Sequence, residues 1–295
     1  MVVTIDKSAG FCWGVVRAVE FAEKELSKTP DMFSLGEIIH NTEEIERLKK
    51  LGLTTVTVED FPKLERGSKV LIRAHGEPPS TYKKAQECRI ELIDATCPVV
   101  TKVQERIRKY YDNGFQVIIF GKKDHAEVIG LRGVTNNQAV VVISVEEALK
   151  NVSFDKPSVL FSQTTMDRET FNAIKETLEA KIKHLETASL EEEALEFHAK
   201  NTICGQVSGR DKKLREFARQ NDLVIFTAGK KSSNGKVLYN IAKEENPNIR
   251  FAETIDELEK DWFNGVKTVG ITGATSTPQW VMVQMKEFIE KNFNN

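Results

Sequence analysis

Apolar and polar positions alternate in a pattern that recurs three times along this chain of 295 residues. Short apolar runs such as Val117-Ile-Ile-Phe and Val224-Ile-Phe-Thr predict buried strands, and a polar cluster and then apolar residues at helical spacing follow each run. Strands that alternate with helices are typical of parallel sheets with helical crossovers. The pattern therefore predicts an α/β fold, a trefoil of three pseudo-equivalent α/β domains that each contain a small, mostly parallel sheet.

A cysteine precedes one predicted helix in each repeat, and a polar cluster follows it at a constant distance. The three cysteines, each with the polar residue that lies 28 positions later, are Cys12 with His40, Cys97 with His125, and Cys204 with Ser232. A second polar cluster follows a later strand of each repeat, at His75, at Gln163-Thr164-Thr165 and at Ser276. Because ligands of parallel sheets gather outside the carboxyl ends of the strands, we expect one thiol and one set of polar groups from each domain.

The order of elements predicts domain boundaries at the cysteines. We expect the first domain over 13–97, the second over 98–203, and the third over 204–295 together with 1–12. The third repeat ends at its final helix without a last strand, whereas the strand before Cys12 has no repeat of its own. The N-terminal strand is therefore expected to complete the third domain. Helices are predicted after the cysteines, at 15–26, 99–111 and 207–220.

Composition narrows the classes of partner. The chain has 42 Lys and Arg residues against 44 Asp and Glu residues and a net charge of −2, which argues against the basic face of a nucleic-acid-binding protein. No apolar run approaches the ~20 residues of a membrane span, and the start of the chain lacks the features of a secretory signal. Four cysteines without short paired spacings do not indicate a disulfide framework. We expect a cytoplasmic protein with no nucleic-acid or membrane partner.

The three repeated cysteines indicate a metal centre. Thiols at helix starts favour the thiolate form, which is the form that binds metal. Three thiolates from distant segments could hold zinc or an iron–sulfur cluster with one open iron, and the spacing alone leaves both possible. Cys88 lies outside the repeat and is interpreted as a small buried apolar residue.

The remaining polar clusters suit an anionic ligand and proton transfer. His40, His75 and His125 are either helix caps or donors, and with Ser232, Ser233, Asn234 and Ser276 they fit donors that converge on a diphosphate. Glu127 could complement a helix dipole or, as a buried acid with a raised pKa, deliver a proton. Thr164 is either a capping residue or a hydroxyl that orients a substrate alcohol.

In order along nearly the whole chain, these motifs resemble the 4-hydroxy-3-methylbut-2-enyl diphosphate reductase family. The motifs that carry the resemblance are Gly10-Phe-Cys12-Trp-Gly-Val, Glu37-Ile-Ile-His40-Asn, Ala74-His75-Gly, Asp94-Ala-Thr-Cys97-Pro, His125-Ala-Glu127-Val, Gln163-Thr-Thr, Thr202-Ile-Cys204, Ser232-Ser-Asn234 and Ser276-Thr-Pro. Each motif is weak alone, whereas nine in sequence are specific.

The resemblance implies an iron–sulfur oxidoreductase that performs the last step of the non-mevalonate isoprenoid pathway. One 4Fe-4S cluster per chain would be held by Cys12, Cys97 and Cys204, with the substrate hydroxyl bound at the open iron. Reductive removal of that hydroxyl gives isopentenyl and dimethylallyl diphosphates. Electrons would come from a donor such as ferredoxin or flavodoxin.

The resemblance also implies roles for individual side chains. Glu127 matches the proton-relay acid, and Thr164 the threonine beside the substrate hydroxyl. The residues that match the diphosphate pocket are His40, His75, Ser232, Ser233, Asn234 and Ser276, with His125 in the same cavity and also in the catalytic set.

Several positions depart from the family pattern. Trp13 replaces a small residue, Ala126 stands where proline usually separates the histidine from the glutamate, and Gln279 replaces an acid. Asp124 and Gly235 also differ from the more frequent residues. Because proline would fix the backbone, Ala126 bears most directly on the geometry of Glu127.

Two other functions compete with this interpretation. A three-domain iron–sulfur enzyme similar to quinolinate synthase would use the open iron as a Lewis acid, but its substrates carry carboxylates. An iron or redox sensor would need neither the acid at Glu127 nor a ring of phosphate donors.

Overall fold

The computed structural model describes residues 1–29, 31–188 and 196–293. The strands are β1 (Val2–Ile5), β2 (Met32–Leu35), β3 (Leu53–Val56), β4 (Lys69–Ile72), β5 (Glu91–Asp94), β6 (Gln116–Phe120), β7 (Val140–Val142), β8 (Ser158–Ser162), β9 (Phe197–Ala199), β10 (Leu223–Thr227), β11 (Ile249–Phe251) and β12 (Thr268–Gly273). The α-helices are α1 (Trp13–Leu26), α2 (Thr42–Lys50), α3 (Pro79–Cys88), α4 (Pro98–Asp112), α5 (Ala126–Gly133), α6 (Val145–Asn151), α7 (Arg168–Ala188), α8 (Gly205–Ser208), α9 (Asp211–Arg219), α10 (Ser233–Glu245) and α11 (Gln279–Asn292).

The chain divides into two compact units, one formed by Met1–Thr57 with Gly205–Asn295 and the other by Val58–Cys204. The predicted domain boundaries take in residues 30, 189–195, 294 and 295, which lie outside the described residues. No helix in the described ranges is both long and apolar enough to cross a membrane.

The first unit contains a parallel sheet with the order β1-β12-β10-β11. Its N-terminal strand pairs with β12 in the register Val2 opposite Thr268. Successive residues of β10 face opposite sides, since Leu223 and Ile225 belong to one apolar cluster and Val224 and Phe226 to another. Burial of both faces explains why this strand is a continuous apolar run. Strands β2 and β3 form a further parallel pair in this unit.

The second unit repeats the design with a parallel sheet of order β7-β6-β8-β9. In β6, Ile118 and Phe120 pack into one apolar cluster, while Val117 and Ile119 pack into the cluster on the other face. A parallel pair, β4 with β5, belongs to the same unit. The predicted α/β class with parallel sheets is confirmed.

One of the three helices predicted after the cysteines differs from expectation. The helix expected over 207–220 is divided into α8 and α9, and Arg210 is the residue that precedes α9. The helix starts after the other cysteines agree within two residues, with α1 at Trp13 and α4 at Pro98. Glycine at position 209 favours a break because it stabilises helix interiors poorly.

Candidate active site

In the second unit, a buried carboxylate contacts Thr164, two residues beyond the end of strand β8. Glu127 lies in the first turn of α5 and is 1% exposed. Its Oε1 accepts a hydrogen bond from the backbone N–H of Thr164 at 2.7 Å, and its Oε2 accepts one from the Thr164 hydroxyl at 2.8 Å. These two bonds hold the carboxylate in place, although Ala126 stands where the family usually has proline.

Burial decides the protonation of this acid. Removal of Glu127 from water raises its pKa to about 7, although the two hydrogen bonds from Thr164 favour the charged form and oppose the rise. A carboxyl group with such a pKa is present in both protonation states near neutral pH. Glu127 can therefore give up a proton and take one up again, which a surface glutamate cannot do at that pH.

Two of the predicted cysteine ligands lie beside polar clusters of this unit. The backbone N–H of Cys204 donates to the carbonyl of Thr164 at 2.8 Å, and that of Cys97 donates to the carbonyl of Ala74 at 3.0 Å. Both cysteines are partly exposed. Each cysteine therefore lies beside the segment that follows a neighbouring strand, β8 for Cys204 and β4 for Cys97.

The histidines of the second unit are neighbours. The rings of His75 and His125 meet edge to face with centroids 5.2 Å apart. His125 precedes α5, and its Nδ1 accepts a hydrogen bond from the backbone N–H of Glu127 at 3.2 Å. A neutral ring that accepts at Nδ1 carries its proton at Nε2, so His125 presents a donor on its other side.

In the first unit, the start of helix α10 holds a cluster of neutral polar side chains. Ser232 caps the helix, since its hydroxyl accepts from the backbone N–H of Gly235 at 3.0 Å. The same hydroxyl lies 3.1 Å from the hydroxyl of Ser276. Asn234 donates to the hydroxyl of Thr275 at 2.6 Å. Backbone N–H groups at the start of a helix and hydroxyl donors together suit a phosphate group.

The third cysteine has the same backbone environment as the other two. The N–H of Cys12 donates to the carbonyl of Thr275 at 3.1 Å, one residue before Ser276. In all three repeats the cysteine N–H thus bonds to a carbonyl of the second polar cluster, at Thr275, Ala74 or Thr164. The repeat found in the sequence is therefore also a repeat of hydrogen bonds.

His40 lies in a loop that packs against the loop before α10. A Cβ atom on Gly229 would overlap the carbonyl oxygen of His40, so only glycine allows this approach. Glu253, which is 7% exposed, accepts from the backbone N–H and the hydroxyl of Thr42 and from the backbone N–H of Lys230. Glu253 thus joins the loop that carries His40 to the loop that carries Ser232.

Sequence reasoning missed Glu253 and Thr275. Glu253 belongs to an acidic turn of the repeat, and nothing local marks it as buried, because its partner Thr42 lies 211 positions away. Thr275 directly precedes the predicted Ser276, and this adjacency is the sequence signal that could have found it.

The described site residues of the two units define the class of the protein. The second unit has a buried acid with a pKa near neutrality, the first has neutral donors that suit an anion, and both have cysteines at helix starts. Such groups beyond the carboxyl ends of parallel strands are typical of α/β enzymes that act on anionic substrates.

Comparison with known proteins gives the family. A family model described as LytB protein matches residues 3–290. The 4-hydroxy-3-methylbut-2-enyl diphosphate reductase of Chloroherpeton thalassium is 48% identical over 308 aligned residues, covering 99% of this chain and 98% of the relative. The enzyme of the same name from Bacteroides fragilis is 44% identical, covering 98% of this chain and 97% of the relative.

Solved structures agree with this assignment. The structure of the E-1-hydroxy-2-methyl-but-2-enyl-4-diphosphate reductase from Plasmodium falciparum superimposes with a TM-score of 0.86 at 26% identity, covering 99% of this chain and 89% of that one. A second structure, of (E)-4-hydroxy-3-methyl-but-2-enyl diphosphate reductase, gives a TM-score of 0.70 at 36% identity, covering 99% of this chain and 100% of that one. The chain belongs to the 4-hydroxy-3-methylbut-2-enyl diphosphate reductase family.

Proposed function

We propose that this enzyme converts (E)-4-hydroxy-3-methylbut-2-enyl diphosphate, two electrons and two protons into isopentenyl or dimethylallyl diphosphate and water. The observation that carries the proposal is the buried Glu127–Thr164 pair, because loss of a hydroxyl as water requires a proton at that oxygen. Glu127 supplies an acid that is partly protonated near pH 7. Family membership supplies the substrate.

The pair can pass a proton because the Thr164 hydroxyl is both donor and acceptor. It lies 2.8 Å from Glu127 Oε2. When Glu127 is protonated, this contact can reverse, so that the carboxyl group donates to the hydroxyl and the hydroxyl donates to the substrate oxygen. His125 would line the same cavity and donate from Nε2. Glu127, Thr164 and His125 form the proposed catalytic set.

The proposed diphosphate-binding residues are those of the resemblance, namely His40, His75, His125, Thr164, Ser232, Ser233, Asn234 and Ser276. Support comes from the neutral donors at the start of α10, namely its backbone N–H groups and the buried hydroxyls of Ser232 and Ser276. Neutral donors hold an anion without adding a positive charge of their own.

The donor set fits an iron–sulfur cluster with Cys12, Cys97 and Cys204 as ligands. Each cysteine is partly exposed, and its backbone N–H bonds to a carbonyl just beyond the end of a strand. When bound, such a cluster supplies the electrons and an open iron for the substrate oxygen. The protein positions the diphosphate and supplies protons. A ferredoxin or flavodoxin is the proposed electron donor, and the cytoplasm the proposed compartment.

The departures from the family pattern leave these groups in place. Trp13 is the first residue of α1 and is 58% exposed, and Gln279 is the exposed first residue of α11. We also propose the three domains expected from the repeat, 13–97, 98–203 and 204–295 with 1–12.

The decisive experiment is anaerobic reduction of the substrate by reconstituted protein with reduced methyl viologen, with analysis of both products. Formation of both isoprenyl diphosphates is expected. Cys12→Ser, Cys97→Ser and Cys204→Ser should each lose cluster iron, whereas Cys88→Ser should retain it as the matched control. Protein that holds a full cluster but gives neither product would contradict the proposal and favour a carboxylate substrate or a sensor.

A further inference from the structure

Arg210 connects the start of helix α9 to the loop that carries Cys12. It is the residue before α9, and its side chain is partly buried. The guanidinium Nη2 donates to the carbonyl oxygen of Gly10 at 2.6 Å. Two segments that are 200 positions apart in sequence are thus joined two residues before the cysteine.

The loop between β1 and α1 is pinned at several points. Asp6, which is 7% exposed, accepts hydrogen bonds from Ser8 on Oδ1 and from the Thr272 hydroxyl on Oδ2. Gly10 has φ +111°, a conformation that other residues rarely adopt, and its carbonyl accepts the hydrogen bond from Arg210. The N–H of Cys12 bonds to Thr275. The position of Cys12 therefore depends on contacts at both ends of a short loop.

The charge of Arg210 also acts on the cysteine. Burial lowers the pKa of the guanidinium, and electrostatic interactions with Asp6 and Cys12 oppose that fall. Asp6 already accepts hydrogen bonds from Ser8 and Thr272, so Arg210 is not needed to satisfy it. One nitrogen of the guanidinium, Nη1, is buried without a hydrogen-bond partner among the described residues. A buried cationic donor without an acceptor is costly unless another group uses its charge.

We propose that Arg210 is a positioning and electrostatic residue that holds the Cys12 loop and stabilises negative charge at Cys12, and with it the reduced state of a bound iron–sulfur cluster. The inference rests on the proposed function, in which Cys12 is a cluster ligand. Reduction adds an electron to the cluster, and a nearby fixed cation lowers the free energy of the more negative state. Arg210 therefore raises the reduction potential.

The test measures the potential of the cluster in variants that separate charge from tether. Arg210→Gln keeps an amide N–H for the Gly10 carbonyl but removes the charge, and Arg210→Lys keeps the charge. Arg219→Gln is the matched control, since it removes the same charge from an exposed position at the end of the same helix. The readouts are iron and sulfide content after anaerobic reconstitution and a spectroscopically monitored redox titration.

Arg210→Gln should lower the potential by about 59 mV, which is a tenfold change in a one-electron equilibrium. Arg210→Lys and Arg219→Gln should stay close to the parent protein. An unchanged potential in Arg210→Gln, or an equal fall in Arg219→Gln, would overturn the inference. If Arg210→Gln binds no cluster, Arg210→Lys must restore it, and failure to do so while Arg219→Gln binds normally would equally overturn the role of charge. Absence of a cluster in the parent protein would instead contradict the proposed function.

Discussion

Two polar regions of this protein lie at the carboxyl ends of parallel strands, and they differ in the charge that they bury. In the second unit, a carboxylate is fully enclosed and is held by two hydrogen bonds from Thr164. In the first unit, the start of α10 buries hydroxyl and amide groups, among them Ser232 and Asn234. The fold provides the same strand-to-helix position in both regions, whereas the side chains give each a different electrostatic property.

The difference separates two requirements of the proposed reaction. Proton delivery needs an ionisable group whose pKa is shifted toward neutrality, and burial does this for Glu127. Anion binding needs donors that keep their state at all working pH values, which hydroxyl, amide and backbone N–H groups do. The most direct test of this difference is to replace the acid of one region by an amide and an amide of the other region by an acid, in separate variants.

Replacement of the acid by its amide should have the largest effect. Glu127→Gln keeps the shape of the side chain but removes the proton, so we expect kcat to fall by about 10³, within the usual contribution of general acid–base catalysis. Substrate affinity and cluster content should persist. The measurement is steady-state kinetics with reduced methyl viologen, together with anaerobic titration of substrate. Glu146→Gln, in the exposed first turn of α6, is the control. A near-normal kcat would remove Glu127 from the proton path.

The converse replacement introduces a carboxylate among the neutral donors. Asn234→Asp exchanges the amide that donates to Thr275 for a group that repels a diphosphate. We expect KM to rise by roughly 100-fold, since a lost hydrogen bond to a charged group costs about 1.5–3 kcal/mol and each 1.4 kcal/mol is tenfold. Because the proton path is untouched, kcat should change far less. Asn264→Asp, at an exposed position, should change neither constant. A loss confined to kcat would show that Asn234 serves the chemical step instead.

The buried acid should also make stability depend on pH. In the folded protein Glu127 has a pKa of about 7 against an ordinary value of 4.5. The folded state therefore holds the proton more tightly, so stability is retained at low pH and declines as pH rises from about 4.5 to about 7. At 1.36 kcal/mol per pKa unit, the loss above pH 7 is roughly 3 kcal/mol.

Urea unfolding of cluster-free protein between pH 5 and pH 8.5 measures this decline. Glu127→Gln has no proton to lose there, so its stability relative to the parent protein should increase across the same interval. Parallel pH dependence in the two proteins would mean that Glu127 stays ionised in the folded state and that water reaches its carboxylate.

The extent to which sequence could predict these regions follows from the range of each contact. Continuous apolar runs predicted β6 and β10, because a strand that is buried on both faces needs apolar residues at successive positions. Apolar residues at helical spacing predicted the helix starts after Cys12 and Cys97. The break between α8 and α9 has a local signal in Gly209, whereas the hydrogen bond that holds Arg210 could not be predicted, because its acceptor Gly10 lies 200 positions away. A charged residue whose partner is distant in sequence shows no sign of that partner in the residues around it.

Replacement of Glu253 should have the smallest effect and is the most specific test, because this side chain joins the loop that carries His40 to the loop that carries Ser232. Its carboxylate accepts from the backbone N–H groups of Thr42 and Lys230 and from the Thr42 hydroxyl. In Glu253→Gln the amide nitrogen must face one of these donors, so one loop loses its acceptor. We expect KM to rise about tenfold, the effect of one hydrogen bond, with kcat nearly unchanged.

Glu259→Gln is a suitable control, since that side chain is exposed and accepts from Trp262. Binding of inorganic diphosphate, measured calorimetrically, should weaken in Glu253→Gln in proportion to the rise in KM. The split between the two constants separates positioning from simple destabilisation, which would lower the active fraction and hence kcat without changing KM. If kcat alone falls, Glu253 stabilises the fold but does not align the loops of His40 and Ser232.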